Sequence, residues 1–143
     1  MKEALENLKK LTALDGVSGE EKPVRDYIIS RIKDHVDDYY VDNIGNLITY
    51  KKGTGKGPKV MLDAHMDEVG LLITQINSDG LLKFRTIGGI EDRVLVGKRV
   101  RIGENKVPGV IGFKPLHLQS SKERTGTVDK KQLTIDIGAK DKE

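Results

Sequence analysis

With 143 residues, 36% of them hydrophobic and 33% charged, the chain can bury one ordinary core and is short for two domains. The net charge of +3 comes from interleaved lysines and acids, as in Lys9-Lys10 against Glu3 and Glu6. The densest basic cluster (Lys51, Lys52, Lys56, Lys59) surrounds a glycine-rich turn without the aromatic interleaving of a nucleic-acid binder, so nucleic acid is not an expected partner. Absence of cysteine excludes disulfides and thiolate metal ligands. No window reaches the roughly 18 apolar residues of a membrane span. The N-terminus Met-Lys-Glu-Ala-Leu-Glu carries charge where a secretory signal is apolar, so the cytoplasm is the expected compartment.

Residues 2–14 place Leu5, Leu8 and Leu11 on one helical face, with Gly16 as the stop. Ser18 with Glu21 three residues on fits a capping box, opening a helix whose stripe is Val24, Ile28, Ile32 and Val36. Pro23 belongs in that helix's first turn. Tyr39–Asp42 and Leu47–Lys51 read as paired strands around Asn43-Ile44-Gly45-Asn46. The loop 53–58 resembles a phosphate loop only superficially, because no Gly-Lys-Ser/Thr closes it and no helical pattern follows.

A strand is expected over Lys59–Ala64, feeding His65. Alternation on that strand puts Asp63, His65 and Asp67 on one side, neighbours about 7 Å apart. A neutral imidazole is a common transition-metal ligand, and it needs an acceptor to fix its tautomer and ring orientation. The Asp67 carboxylate, two residues on, is placed for that role. The plainer alternative for the pair is a solvated strand end that happens to carry a histidine.

From residue 70 the pattern changes. Leu71–Asn77 and Leu81–Ile87 flank Ser78-Asp79-Gly80, a strong hairpin signal. Val94–Ile102 and Lys106–Phe113 continue as short strands punctuated by glycine. Residues 119–130 are polar and unpatterned and read as a mobile loop, and Gln132–Ile137 forms a last strand before a charged tail. No helix is expected after about residue 38.

The run His65-Met66-Asp67-Glu68-Val69-Gly70, preceded by Asp-Gly-Val-Ser-Gly-Glu-Glu at 15–21 and Asp42-Asn43-Ile44-Gly45-Asn46-Leu47, resembles the N-terminal portion of one family. These are the cocatalytic metallo-aminopeptidases that include glutamyl aminopeptidase, the tetrahedral aminopeptidases and relatives labelled endoglucanases. Ile87-Gly88-Gly89, Gly109-Val110-Ile111-Gly112, Lys114-Pro115-Leu116-His117 and Asp136-Ile137-Gly138-Ala139 follow in the family's order, so the resemblance covers almost the whole chain. It implies an α/β fold: the first part of a zinc-exopeptidase-like catalytic domain over 1–69, then an inserted all-β oligomerisation domain, incomplete, over 70–143. It implies that His65 is a ligand of one of two divalent metals (zinc, cobalt or manganese) and that Asp67 is the carboxylate orienting it. The bridging Asp, the catalytic Glu and the other ligands are expected beyond residue 143.

The function implied is metal-dependent removal of N-terminal residues from peptides, with this chain inactive alone. It would associate with copies of itself or with the missing C-terminal part. The alternative is a naturally truncated, non-catalytic assembly or regulatory module of the same family. His35, near a helix end, reads as solvated or dipole-compensating. His117 reads as structural or at a subunit contact, and Asp63 and Glu68 as hydrogen-bonding or solvated. Serine-nucleophile chemistry finds no Gly-x-Ser-x-Gly elbow, and nothing in the sequence places the carboxylate pair of a glycosidase.

Overall fold

The leucine spacing near the N-terminus produces helix α1 over Lys2–Leu11 in the computed structural model, which describes residues 1–113 and 128–143. The chain divides into two compact units, Met1–Glu68 and Val69–Glu143. The expected polar loop, apart from its last residues, and His117 lie outside the described residues.

In the first unit α1 stops earlier than Gly16. The Thr12 hydroxyl donates to the Leu8 carbonyl at 2.9 Å, and the amides of Ala13 and Leu14 fall back to the carbonyls of Lys10 and Leu11. These shorter-range bonds tighten and end the last turn. Helix α2 spans Lys22–Ile32, with Pro23 in its first turn, where a missing amide costs nothing. The expected capping box does not form. Glu21 is itself the residue preceding the helix, its carboxylate accepting from the Gly19 amide at 2.7 Å, and Ser18 is engaged elsewhere. Val24 is buried and Ile28 and Ile32 are half-buried, whereas Val36 lies past the helix end. Tyr27 donates to Asn7 at 2.8 Å and Arg31 pairs with Glu3 at 2.5 Å, tying α2 to α1.

Strands β1 (Asp38–Val41) and β2 (Leu47–Tyr50) form an antiparallel ribbon, with Tyr40 opposite Ile48. Asp42 closes the loop between them. Its carboxylate accepts the amides of Ile44 and Asn46 and the Asn46 side chain, while Gly45 takes φ 95°. The strand expected over Lys59–Ala64 is absent: residues 59–66 have no ladder, and Val60, Met61 and Leu62 are 77%, 87% and 93% exposed. Propensity alone does not make a strand. The backbone groups need partners on a neighbouring strand, and this unit provides only the ribbon and a single parallel bridge between Val17 and Glu68.

The second unit is an antiparallel five-stranded sheet in the order β3-β4-β7-β6-β5. Its strands are β3 (Gly70–Ile76), β4 (Leu82–Ile87), β5 (Arg99–Ile102), β6 (Val107–Gly112) and β7 (Thr134–Asp136). The Asp79-Gly80 turn joins β3 to β4. Gly80 takes φ 78°, and a Cβ there would lie 2.8 Å from the Ala139 carbonyl oxygen. Contrary to the all-strand expectation, a helical turn, α3, occupies Asp92–Leu95 and buries Leu95. Apolar Val94 and Leu95 look like strand residues, but bonding to β6 starts only at Gly97, which takes φ 74° and whose amide donates to the Ile111 carbonyl at 2.8 Å. A further helical turn, of the 3-10 type, covers Lys130–Gln132, shortening the last expected strand. Pro108 lies where β6 pairs with β5 but precedes the residues pairing with β7, so its missing N–H breaks no ladder bond there. Leu82, Leu95, Ile111, Leu133 and Ile135 form the core.

No helix among the described residues is long and apolar enough to cross a membrane.

Gly109 tests how tightly this core is closed. A Cβ there would lie 2.7 Å from Ile135 Cγ2 and 2.9 Å from Ile102 Cδ1, whereas one at Gly89 meets nothing within 4 Å. Gly109→Ala should destabilise the second unit by about 1–3 kcal/mol through overpacking, and Gly89→Ala should leave it within about 0.5 kcal/mol. Urea unfolding of both variants measures the difference.

Candidate functional site

The loop between α1 and α2 reaches back to the end of the first unit and fixes the segment that carries His65. The Glu68 amide donates to the Gly16 carbonyl at 2.7 Å, and the Gly16 amide donates to Glu68 Oε1 at 3.3 Å. Glu68 is therefore a fastening, with both its backbone and its carboxylate on one glycine. Gly16 is buried, and a Cβ there would lie 2.8 Å from Val24 Cγ2 and 3.2 Å from the Met66 carbonyl oxygen.

Two residues along the same loop, the Ser18 hydroxyl donates to Asp67 Oδ2 at 2.5 Å. The other carboxylate oxygen, Oδ1, lies 3.0 Å from His65 Nδ1, and the Asp67 carbonyl oxygen is equally close to that nitrogen. Both neighbours of Nδ1 are acceptors, so the hydrogen-bond pattern assigns the proton to Nδ1 and the lone pair to Nε2. The imidazole is 84% exposed and the carboxylate 41%. The Ser18 hydroxyl, and after it the His65 ring, hold the Asp67 carboxyl below its usual value of 3.8 against a smaller opposing effect of burial.

Ile44, Gly45 and Asn46 line one open hollow together with Glu21 and residues 64–67. Arg25 holds their loop by donating to the Gly45 carbonyl at 2.9 Å. Hydrogen bonds to Ile44, Gly45 and Asn46 outweigh desolvation and hold Asp42 below the usual aspartate value. Three stretches far apart in sequence, 15–21, 42–47 and 65–70, thus contribute residues around His65 or to its fastening. Asp63 is exposed and His35 lies exposed beyond α2. The sequence pattern gives Ser18 only a capping role; the Asp-Gly-Val-Ser-Gly-Glu-Glu stretch marks it, but its spacing to Asp67 gives no hint of contact.

The donor set bears on a metal. Nε2 of His65 fits one ligand position, but among the described residues no group of three or more His, Cys, Asp or Glu is arranged to hold an ion. The residues present fit one corner of a metal site and not a whole one.

Residues 45–143 match the family described as M42 glutamyl aminopeptidase. The chain belongs to that family. It is 37% identical over 142 residues to the lysyl aminopeptidase of Pyrococcus furiosus, covering 96% of this chain and 40% of that enzyme. A TET aminopeptidase from a marine sediment archaeon superimposes with a TM-score of 0.89 at 33% identity, over 97% of this chain and 40% of the other. The TET1 peptidase of Pyrococcus horikoshii, described as assembling into a tetrahedron or a large octahedral shell, matches with a TM-score of 0.77 at 46% identity, over 96% and 41% of the two chains. The chain thus spans about 40% of the length of the relatives it matches. Its mixed helix-and-strand fold is consistent with the N-terminal part of the M42 catalytic domain.

The depressed carboxyl gives a pH prediction. A folded-state value below the unfolded one means that the folded protein binds fewer protons in that window, so the stabilising bonds are fully present above about pH 4 and are lost as pH falls through the lowered value. Carbon NMR of the Asp67 carboxyl should place its midpoint below 3.8, and Ser18→Ala should move it upward.

Proposed function

We propose that the chain supplies the N-terminal share of the active site of a metal-dependent aminopeptidase. His65 Nε2 is one ligand of a dinuclear centre of zinc, cobalt or manganese, and Asp67 holds the ring. The observation that carries this is the pairing of His65 Nδ1 with Asp67, which leaves Nε2 as the lone-pair nitrogen. When bound, the metal would act as a Lewis acid toward water and the peptide carbonyl. This chain's own contribution is narrower: it fixes the tautomer of the imidazole, holds its ring plane and keeps the orienting carboxylate ionised. The remaining ligands and the general-base glutamate belong to sequence that these 143 residues do not contain. The substrate is a peptide with a free N-terminus, and the compartment is the cytoplasm.

In this reading residues 1–69 are the first part of the catalytic domain and residues 70–143 the inserted β-rich oligomerisation domain. A second reading, a non-catalytic assembly module, draws on the contrast in packing. The second unit has its own buried core, whereas Val24 is the buried apolar side chain of the first among the described residues.

Two measurements test the proposal. Against an aminoacyl-anilide panel with cobalt, zinc or manganese, the chain should show no turnover, and turnover abolished by His65→Ala would contradict the incompleteness of its site. In a zinc titration followed by nitrogen NMR, His65 Nε2 should shift before either nitrogen of His35, with weak affinity. Equal response of the two rings would remove the ligand role.

Association follows from the exposed surface. Leu5 and Leu8 on α1 are 52% and 57% exposed, and Val60, Met61 and Leu62 are more exposed still. Apolar patches of more than a few hundred Å², roughly, are uncommon on monomers. The capacity of the P. horikoshii relative to form closed shells favours homo-oligomers. Sedimentation at micromolar concentration should give species larger than 15.9 kDa.

A further inference from the structure

We propose that Ser18 is a positioning residue for His65, aiming the Asp67 carboxylate at Nδ1 so that Nε2 is the nitrogen presented to a ligand. The proposal deepens the reading of His65 as a metal ligand and rests on it.

The geometry carries the inference. Asp67 has two carboxylate oxygens, and both are engaged by other side chains: Oδ2 receives the Ser18 hydroxyl at 2.5 Å and Oδ1 faces His65 Nδ1 at 3.0 Å, with the residue's own amide adding a weaker bond. A carboxylate turns about its last torsion in a broad, soft well. One bond to a mostly exposed imidazole does not fix that torsion, but a second bond to the opposite oxygen does. Ser18 is itself fixed. Gly16, two residues before it, is bonded twice to Glu68, and the Glu20 amide donates to the Val17 carbonyl at 2.7 Å, closing the turn that Ser18 occupies. The hydroxyl proton goes to a carboxylate and not to an imidazole, so Ser18 lacks the base that would make it a nucleophile.

Two physical effects of this hydroxyl oppose each other at His65. Aiming the carboxylate strengthens the Nδ1–H bond. Drawing charge toward Oδ2 makes Oδ1 a poorer acceptor and weakens it. The proposal is that aiming wins, because the imidazole is exposed and an untethered carboxylate can turn toward water. The Asp67 carbonyl oxygen, also 3.0 Å from Nδ1, remains as a neutral acceptor when the carboxylate turns away. Loss of Ser18 should therefore shift the tautomer ratio without reversing it completely.

The readout is the His65 tautomer in the metal-free chain, from long-range nitrogen–proton NMR at about pH 9, where imidazoles are neutral, with His35 as internal reference. Wild type should be mainly Nδ1–H. Ser18→Ala and the similarly sized Ser18→Cys, whose thiol is a weak donor, should shift the ratio about fivefold toward Nε2–H, the scale of one net hydrogen bond. Ser18→Thr, which keeps the hydroxyl, should hold the wild-type ratio. The amide spectrum reports folding, and if Ser18→Ala does not fold, Ser18→Cys decides. An unchanged ratio in the folded variants overturns the role of Ser18 and leaves His65–Asp67 standing. A shift toward Nδ1–H shows that Ser18 tempers the carboxylate and also overturns the proposal. A wild-type chain that is mainly Nε2–H removes the His65–Asp67 reading together with the proposal built on it.

Discussion

The two hydrogen bonds between Gly16 and Glu68 are the closure on which the first unit's site depends. They bring residues 52 positions apart into register, and the single parallel bridge from Val17 to Glu68 is formed at the same place. Only a residue without a side chain fits there, since Val24 and the Met66 backbone occupy the space of a Cβ. With Glu68 pinned, Asp67 comes within reach of Ser18, and His65 is held by Asp67 in turn. Each of these bonds competes with water and contributes little by itself, so the arrangement relies on several acting together and not on a strong single contact.

The two units achieve order differently. In the second, side chains alternate along the strands: Gly109 and Ile111 of β6 are buried while Val110 between them is exposed. Gly109 lets Ile135, Ile102 and Ile137 close over the sheet. The first unit has little of this. Its helices are joined by Tyr27–Asn7 and Arg31–Glu3, and its loops by Asp42, Arg25 and Glu68, all polar contacts. Exposed ion pairs such as Arg31–Glu3 contribute little. The apolar run Val60-Met61-Leu62 is left in solvent because the unit offers it no strand to pair with.

Asp67 shows how one carboxylate can serve two purposes. Donors on both oxygens favour its charged form, so it stays an acceptor for His65 across the ordinary pH range. An ionised acceptor at Nδ1 also makes the opposite nitrogen more basic. Asp42 uses the same physics for a different end, collecting amide donors to shape the loop that lines the far side of the hollow.

The sequence by itself determined much of the local structure. Helical leucine spacing produced α1, Asp79-Gly80 produced the β3–β4 hairpin, and the i, i+2 spacing of His65 and Asp67 brought a ring and a carboxylate together, because these outcomes depend on neighbours a few residues away. The motif stretches were likewise enough to name the family to which the chain belongs. Tertiary structure decided the rest. Ser18 carries a good capping pattern, but its hydroxyl found a carboxylate 49 residues on. Val94 and Leu95 have strand character, yet they sit in a helical turn that buries Leu95 in the core, and bonding to β6 begins only at Gly97. Residues 59–64 have strand composition without a ladder, since a strand is made by the backbone it pairs with and no local pattern encodes whether that partner is present.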